Sequence, residues 1–171
     1  MTKEMKTELI KQAKLELARR DFFEYCKLTA SDFYNDNRLF LKDMCNQLQD
    51  FYESEADRIC VINLPPRHGK SRTAEKLVEW VLGKNNKEKI ITGSYNEILS
   101  STFAKAVRDE IASEKTNGVI VYNDIFPNTH IKFGEASANK WTLEGSNQSN
   151  YLATSPTRHS NGVWLFSYDN R

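Results

Sequence analysis

The octapeptide Leu64-Pro65-Pro66-Arg67-His68-Gly69-Lys70-Ser71 gathers residue types that can grip a phosphate. Gly69 would let the backbone approach an oxygen with no Cβ in the way. Lys70 would add a point charge for the β- and γ-phosphates, and the Ser71 hydroxyl could ligate Mg²⁺. Such chemistry requires a helix N-terminus behind the loop, where unpaired N–H groups and the helix dipole face the anion. Gly69-Lys70-Ser71 fits the end of the pattern G-x-x-x-x-G-K-[ST], but Leu64 stands where the first glycine belongs. Arg67 is a second cation whose forked guanidinium can contact phosphate in ways that lysine cannot. His68 reads as a turn residue. A bare G-K-S is weak, and the bland alternative is a basic turn capping a helix. The flanking elements must decide between them.

Before the loop, Arg58-Ile59-Cys60-Val61-Ile62-Asn63-Leu64 is an apolar run without helical spacing, ended by Pro65-Pro66. It predicts a buried parallel strand. After the loop, Ala74, Leu77, Val78, Val81 and Leu82 form a helical stripe, with Gly83 in a C′ position. Lys89–Gly93 predicts a second strand. Ser94 and Glu97 have the spacing of a capping box that opens a helix burying Leu99, Phe103, Ala106, Val107 and Ile111. Strand, helix, strand, helix is the order that builds a parallel sheet with right-handed crossovers, an α/β fold. Two helices are expected upstream. One covers residues 3–27, with Met5, Leu9, Ala13 and Leu17 inward, and the other covers 38–53, with Leu41, Met44, Cys45, Leu48, Phe51 and Tyr52 inward. Downstream, Ile131–Phe133 and Trp141–Leu143 can pair as a hairpin, with Trp141 as a sheet anchor rather than a ligand platform.

Leu, Ile, Val and Phe supply 40 of the 171 residues, enough for a packed core rather than a disordered chain. No repeat, linker or long apolar segment appears, and the first residues, MTKEMKTELIKQAK, are charged throughout; a cytoplasmic protein with no membrane partner is expected. The three cysteines, Cys26, Cys45 and Cys60, are far apart and read as small buried hydrophobes, and the three histidines lack metal-ligand spacing. The formal charge of +1 conceals an excess of four positive charges over residues 58–115, the region of the loop. That excess is modest and assigns no partner by itself.

The chain resembles the large terminase subunits of tailed bacteriophages, ATP-driven motors that package DNA into capsids. The resemblance rests on ICVINLPPRHGKS, Trp80–Gly83, Gly93-Ser94-Tyr95, Phe103–Arg108, Ile125–Pro127 and YLATSP at Tyr151–Pro156, in family order over about residues 19 to 156. It implies an N-terminal ATPase domain of P-loop NTPase type, a parallel sheet with flanking helices that is incomplete at its C-terminal end. Residues 1–56 would be a helical lead-in, 57–156 a partial ATPase core and 157–171 an atypical tail. It further implies ATP and Mg²⁺ as cofactors. ATP would be held by Pro66, Arg67, His68, Gly69, Lys70 and Ser71, and the metal by Ser71 through the nucleotide. Arg67 would be the candidate catalytic arginine. Partners in the intact family would be double-stranded DNA, the small terminase subunit and the portal protein, in the cytoplasm of a bacterial host or from a prophage. A helicase or nucleotide kinase would need further motifs that the sequence lacks.

In this family an acidic pair at the end of a buried strand follows soon after YLATSP, one carboxylate for Mg²⁺ and its neighbour for water. Here the residues are TRHSNGVWLFSYDNR, and Asp169 has neither an apolar run directly before it nor an acidic neighbour. Read from the second base of their codons, Arg158–Trp164 admit GTATGFG and Leu165–Arg171 admit CLAMIID, a glycine-rich turn and an apolar strand ending in an acid. A frameshift near Thr157 is therefore expected to have truncated a terminase gene, leaving a remnant without turnover. The alternative is a genuine short terminus whose Trp164–Phe166 completes a small core.

Overall fold

The computed structural model describes residues 2–54, 59–115 and 118–155, and the backbone of 165–168. Met1, the segment 55–58, which holds the expected Arg58, and the pair 116–117 lie outside the described residues. So do 156–164 and 169–171, which carry Pro156, Trp164, Asp169 and most of the tail on which the frameshift expectation rests.

Helix α1 spans Lys3–Arg20 and α2 spans Phe22–Thr29, so the single helix expected over 3–27 is two. Asp21 makes the break: its carboxylate accepts from the Glu24 N–H at 2.8 Å and caps α2. The expected inward stripe of α1 is also corrected. Met5, Leu9, Ala13 and Leu17 are exposed, and Leu15 and Ala18 face the core, because only the C-terminal part of α1 reaches it. Helix α3, Leu39–Glu53, follows expectation, burying Leu41, Met44, Cys45 and Leu48. Helix α4, Lys70–Lys84, packs against α1 and α2. Trp80 lies on it with no exposed surface, 5.5 Å from Phe22 and 5.9 Å from Tyr52 between ring centroids, its Nε1 donating to Ala18 O at 3.0 Å.

Strand β1, Ile90–Gly93, leads to α5, Glu97–Ile111, and the short α6, Tyr122–Ile125. The hairpin of β2, Ile131–Ala136, and β3, Lys140–Leu143, forms as expected, with Ile131 opposite Leu143. Then come β4, Tyr151–Thr154, and β5, Leu165–Tyr168. The sheet runs β2-β3-β4-β1-β5. It is mixed: β1 is parallel to β4 and antiparallel to β5, and β3 is antiparallel to β4. Helix α5 packs on both α4 and the sheet, burying Phe103, Val107 and Ile111. Leu99 and Ala106, expected inside, are exposed, and Asn96 rather than Ser94 caps the helix, accepting from Ile98 N at 2.7 Å. Trp141 is fully buried and stacked on Tyr151, centroids 4.5 Å apart, as a sheet anchor should be.

Two further expectations fail. Residues 59–64 are not a strand and lie outside the sheet, with Ile59 83% and Val61 84% exposed. An apolar run becomes a strand only where a neighbour offers its edge, and β1 already has β4 on one side and β5 on the other. Cys60 is therefore exposed, whereas Cys26 and Cys45 are buried as expected. Gly83 lies inside α4, not beyond it; Asn85 is the cap. A Cβ on Gly83 would fall onto the Phe126 ring, so glycine is there for close packing. Among the described residues, no helix is long and apolar enough to cross a membrane.

Candidate phosphate-binding loop

The loop reaches α4 through two residues in the left-handed region, Arg67 at φ +65° and Gly69 at φ +86°. For arginine that conformation costs about 1–3 kcal/mol and persists only where the surroundings enforce it. Several contacts do so. The Lys70 ammonium donates back to Leu64 O, closing the loop on itself. The His68 ring meets Pro66 O through Nδ1 at 3.0 Å and packs edge-on against Phe40, centroids 5.9 Å apart. His68 is thus the turn residue that its position suggested. A Cβ on Gly69 would stand 2.6 Å from Cε1 and Cζ of Phe33, so the backbone here sits directly on that ring.

Gly69 is the N-cap of α4 and Lys70 its first residue, so the N–H groups of the first turn have no partner within the helix. Thr73 N–H begins the ladder, donating to Gly69 O at 2.8 Å. Ser71 is exposed in that turn, and Arg67 is exposed above it. Pro66 through Ser71, the six residues singled out from the sequence, therefore form one continuous loop on the end of a 15-residue helix. The helix half of the arrangement is built, and the strand half is not.

A loop of this shape fits a phosphate group. It has a dipole end, a glycine that cannot be replaced without meeting Phe33, one cation on a backbone carbonyl and a second in the solvent. For Mg²⁺, the loop offers the Ser71 hydroxyl, and the other ligands would be phosphate oxygens and water. Among the described residues, no group of three or more His, Cys, Asp or Glu could hold a metal by itself. Glu75 stands one turn after Ser71 on the same side of α4, and burial pushes its carboxyl up.

Sequence reasoning missed the residues beneath the loop. Arg72 makes a forked ion pair with Asp32, Nη2 to Oδ1 at 2.9 Å and Nη1 to Oδ2 at 3.0 Å. That pair holds the Asp32 carboxyl below its usual range. The Tyr34 and Thr73 hydroxyls share a buried hydrogen bond of 2.8 Å. Arg38 and Arg72 flank the Phe33 ring, 4.7 and 5.1 Å from its centroid. No local pattern announces the contacts that reach α4, because their partners lie about 40 residues apart. Elsewhere, a cleft of about 480 Å³ lies at the opposite end of α4 beside Arg19, Lys84 and Phe126. Both of its cations are already paired, Arg19 with Glu16 and Lys84 with Glu53.

No family model, curated protein or solved structure matches this chain.

Proposed function

We propose that this chain is the N-terminal ATPase portion of a terminase large subunit, and that it binds ATP with Mg²⁺ at Pro66–Ser71. The observation that carries the proposal is the loop itself. PPRHGKS, the sequence form on which the resemblance rests, ends on the N-terminus of a long helix, with Gly69 left-handed and pressed onto Phe33. A basic turn that merely capped a helix would need neither the strained Arg67 nor a glycine seated on an aromatic ring. In this reading Lys70 leaves Leu64 O for the β- and γ-phosphates, the free N–H groups of α4 take phosphate oxygens, and Ser71 joins the Mg²⁺ shell. Arg67 reaches the terminal phosphate from the solvent side. When bound, ATP supplies the transferable phosphoryl group.

The same reading makes the chain a nucleotide binder without turnover. In the residues that follow YLATSP, TRHSNGVWLFSYDNR, Asp169 has no acidic neighbour to complete the pair that would hold the metal and orient water. Translocation of double-stranded DNA, and engagement of the small subunit and the portal protein, would belong to the intact motor. The test is equilibrium binding of Mg²⁺-ATP to the whole chain, beside a phosphate-release assay. Binding should be weakened at least about tenfold by Lys70→Ala, with no release above the blank, since losing a charged hydrogen bond to phosphate is worth about 1.5–3 kcal/mol. Equal affinity with and without Lys70 would sink the binding site. Turnover that Lys70→Ala abolishes would sink the non-catalytic reading.

A further inference from the structure

Three consecutive residues in the turn between α2 and α3 each hold one residue at the start of α4. Asp32 holds Arg72 through two hydrogen bonds, Phe33 lies under Gly69, and the Tyr34 hydroxyl meets that of Thr73. The residues held are numbers 69, 72 and 73, the i, i+3, i+4 spacing of one helix face. Lys70 and Ser71 fall between them and stay off that face. The contacts differ in kind: Tyr34 and Thr73 are buried, whereas the Asp32 and Arg72 side chains are 69% and 40% exposed. An ion pair so wet adds little stability. Its bidentate geometry nevertheless fixes where the Arg72 backbone, and with it the first turn, can sit.

We propose that Asp32, Phe33 and Tyr34 are positioning residues for the phosphate site, a clamp that sets the first turn of α4 so that its N–H groups and Lys70 converge on one anion. The inference rests on the reading of Pro66–Ser71 as a triphosphate site. It assigns a part in nucleotide affinity to a segment about 35 residues upstream that carries no phosphate-binding chemistry of its own. The Phe33 ring fills the space where a Cβ on Gly69 would stand, and the Arg38 and Arg72 guanidinium groups both lie against that ring, 4.7 and 5.1 Å from its centroid. Misplacing a binding group by about 1 Å is enough to lose most of its contribution.

The decisive variant is Asp32→Asn, because two explanations predict opposite signs. If Asp32 acts only by its charge, removing a negative group near an anion site tightens Mg²⁺-ATP binding. If Asp32 positions the loop, binding weakens, by about threefold, although the anionic charge has gone. Phe33→Leu, which removes the ring under Gly69, should weaken binding by about tenfold. Both are measured by titrating the full chain with Mg²⁺-ATP, beside wild type and Lys70→Ala, with the melting midpoint of each. Asp32→Asn should leave that midpoint within about 2 °C of wild type, which separates positioning from lost fold. If Asp32→Asn binds as tightly as wild type or more tightly while Lys70→Ala has lost binding, the clamp is overturned and the phosphate site stands. If wild type and Lys70→Ala bind alike, the site and the clamp fall together.

Discussion

The two flanks of the loop look equally good in sequence and have opposite fates. On one side, α4 buries eight of its 15 residues, and three contacts on one face hold its first turn. On the other, ICVINL is as apolar as the strands IITG and YLAT, yet it lies outside the sheet with Ile59 and Val61 in solvent. A helix satisfies its own backbone and needs only a surface to lie on, whereas a strand needs an edge that another strand has left open. Here β1 has none to give. Of the two elements expected around the loop, the one that forms is the one whose hydrogen bonds are local.

The largest expected effect comes from the built half. Glu79, on α4, is 2% exposed, accepts from Tyr25 OH at 2.7 Å and from Lys76 Nζ at 2.9 Å, and its own carbonyl accepts from Tyr122 OH at 3.0 Å. Glu79→Ala should cost about 3 kcal/mol in denaturant unfolding, since it leaves the buried Lys76 ammonium with only the longer pair to Glu110 at 3.5 Å and takes the acceptor from the buried Tyr25 phenol. Glu79→Gln separates charge from shape. Burial pushes the Glu79 carboxyl from its ordinary 4.5 up to about 7, against the pull of Lys76. Burial also works to lower the Lys76 ammonium, but the Glu79 and Glu110 carboxylates outweigh it and raise it. Between pH 4.5 and about 7 the folded chain thus keeps a proton that the unfolded chain releases, so wild-type stability falls as pH rises through that window. The amide of the Glu79→Gln variant cannot titrate, so the slope should flatten there, and the variant should gain on wild type as pH rises to 7. An unchanged slope would place the titration on another group.

What can be read in advance divides along the same line. Helix α3, strand β1, the hairpin and the anchoring role of Trp141 follow from patterns within a dozen residues, and all form. The division between α1 and α2 is also legible: Asp21-Phe22-Phe23-Glu24 has the spacing of a helix cap, which the longer apolar stripe obscures. The exposure of Met5, Leu9 and Leu17 is not, because helical period reveals which residues share a face but not how far along a helix the core extends. The six loop residues are legible as a motif. The clamp beneath them is not, since Asp32-Phe33-Tyr34 gains its meaning only from residues about 40 positions away.

A middle-sized effect tests whether the far end of α4 is as tightly built as its start. Gly83→Ala would press a methyl onto the Phe126 ring, itself backed by Tyr122 at 5.4 Å and Tyr25 at 5.9 Å. The overpacking should cost about 1–3 kcal/mol, partly offset by about 1 kcal/mol of better helix propensity. Phe126→Leu in the same chain should recover part of the loss, measured as a coupling energy in a double-mutant cycle. If Gly83 served instead as a left-handed helix stop, shrinking Phe126 would recover nothing.

The smallest expected effect is the sharpest on the comparison. Val61→Asp puts a charge into the apolar run before the loop. With Val61 84% exposed, stability should change by no more than about 0.5 kcal/mol, the ordinary range for a surface position. Were 59–64 a buried strand, the same carboxylate would be forced into the core at a cost of several kcal/mol. Denaturant midpoints of the two chains decide between these outcomes, and the nucleotide adds a second reading. Val61 lies upstream of the loop, and none of the contacts that hold Arg67, Gly69 or the first turn of α4 involves it. Mg²⁺-ATP affinity should therefore also stay within about twofold of wild type. A loop held by Lys70 on Leu64 O and by the contacts on the first turn of α4 is indifferent to what stands at position 61; one that draws on a strand through 59–64 is not.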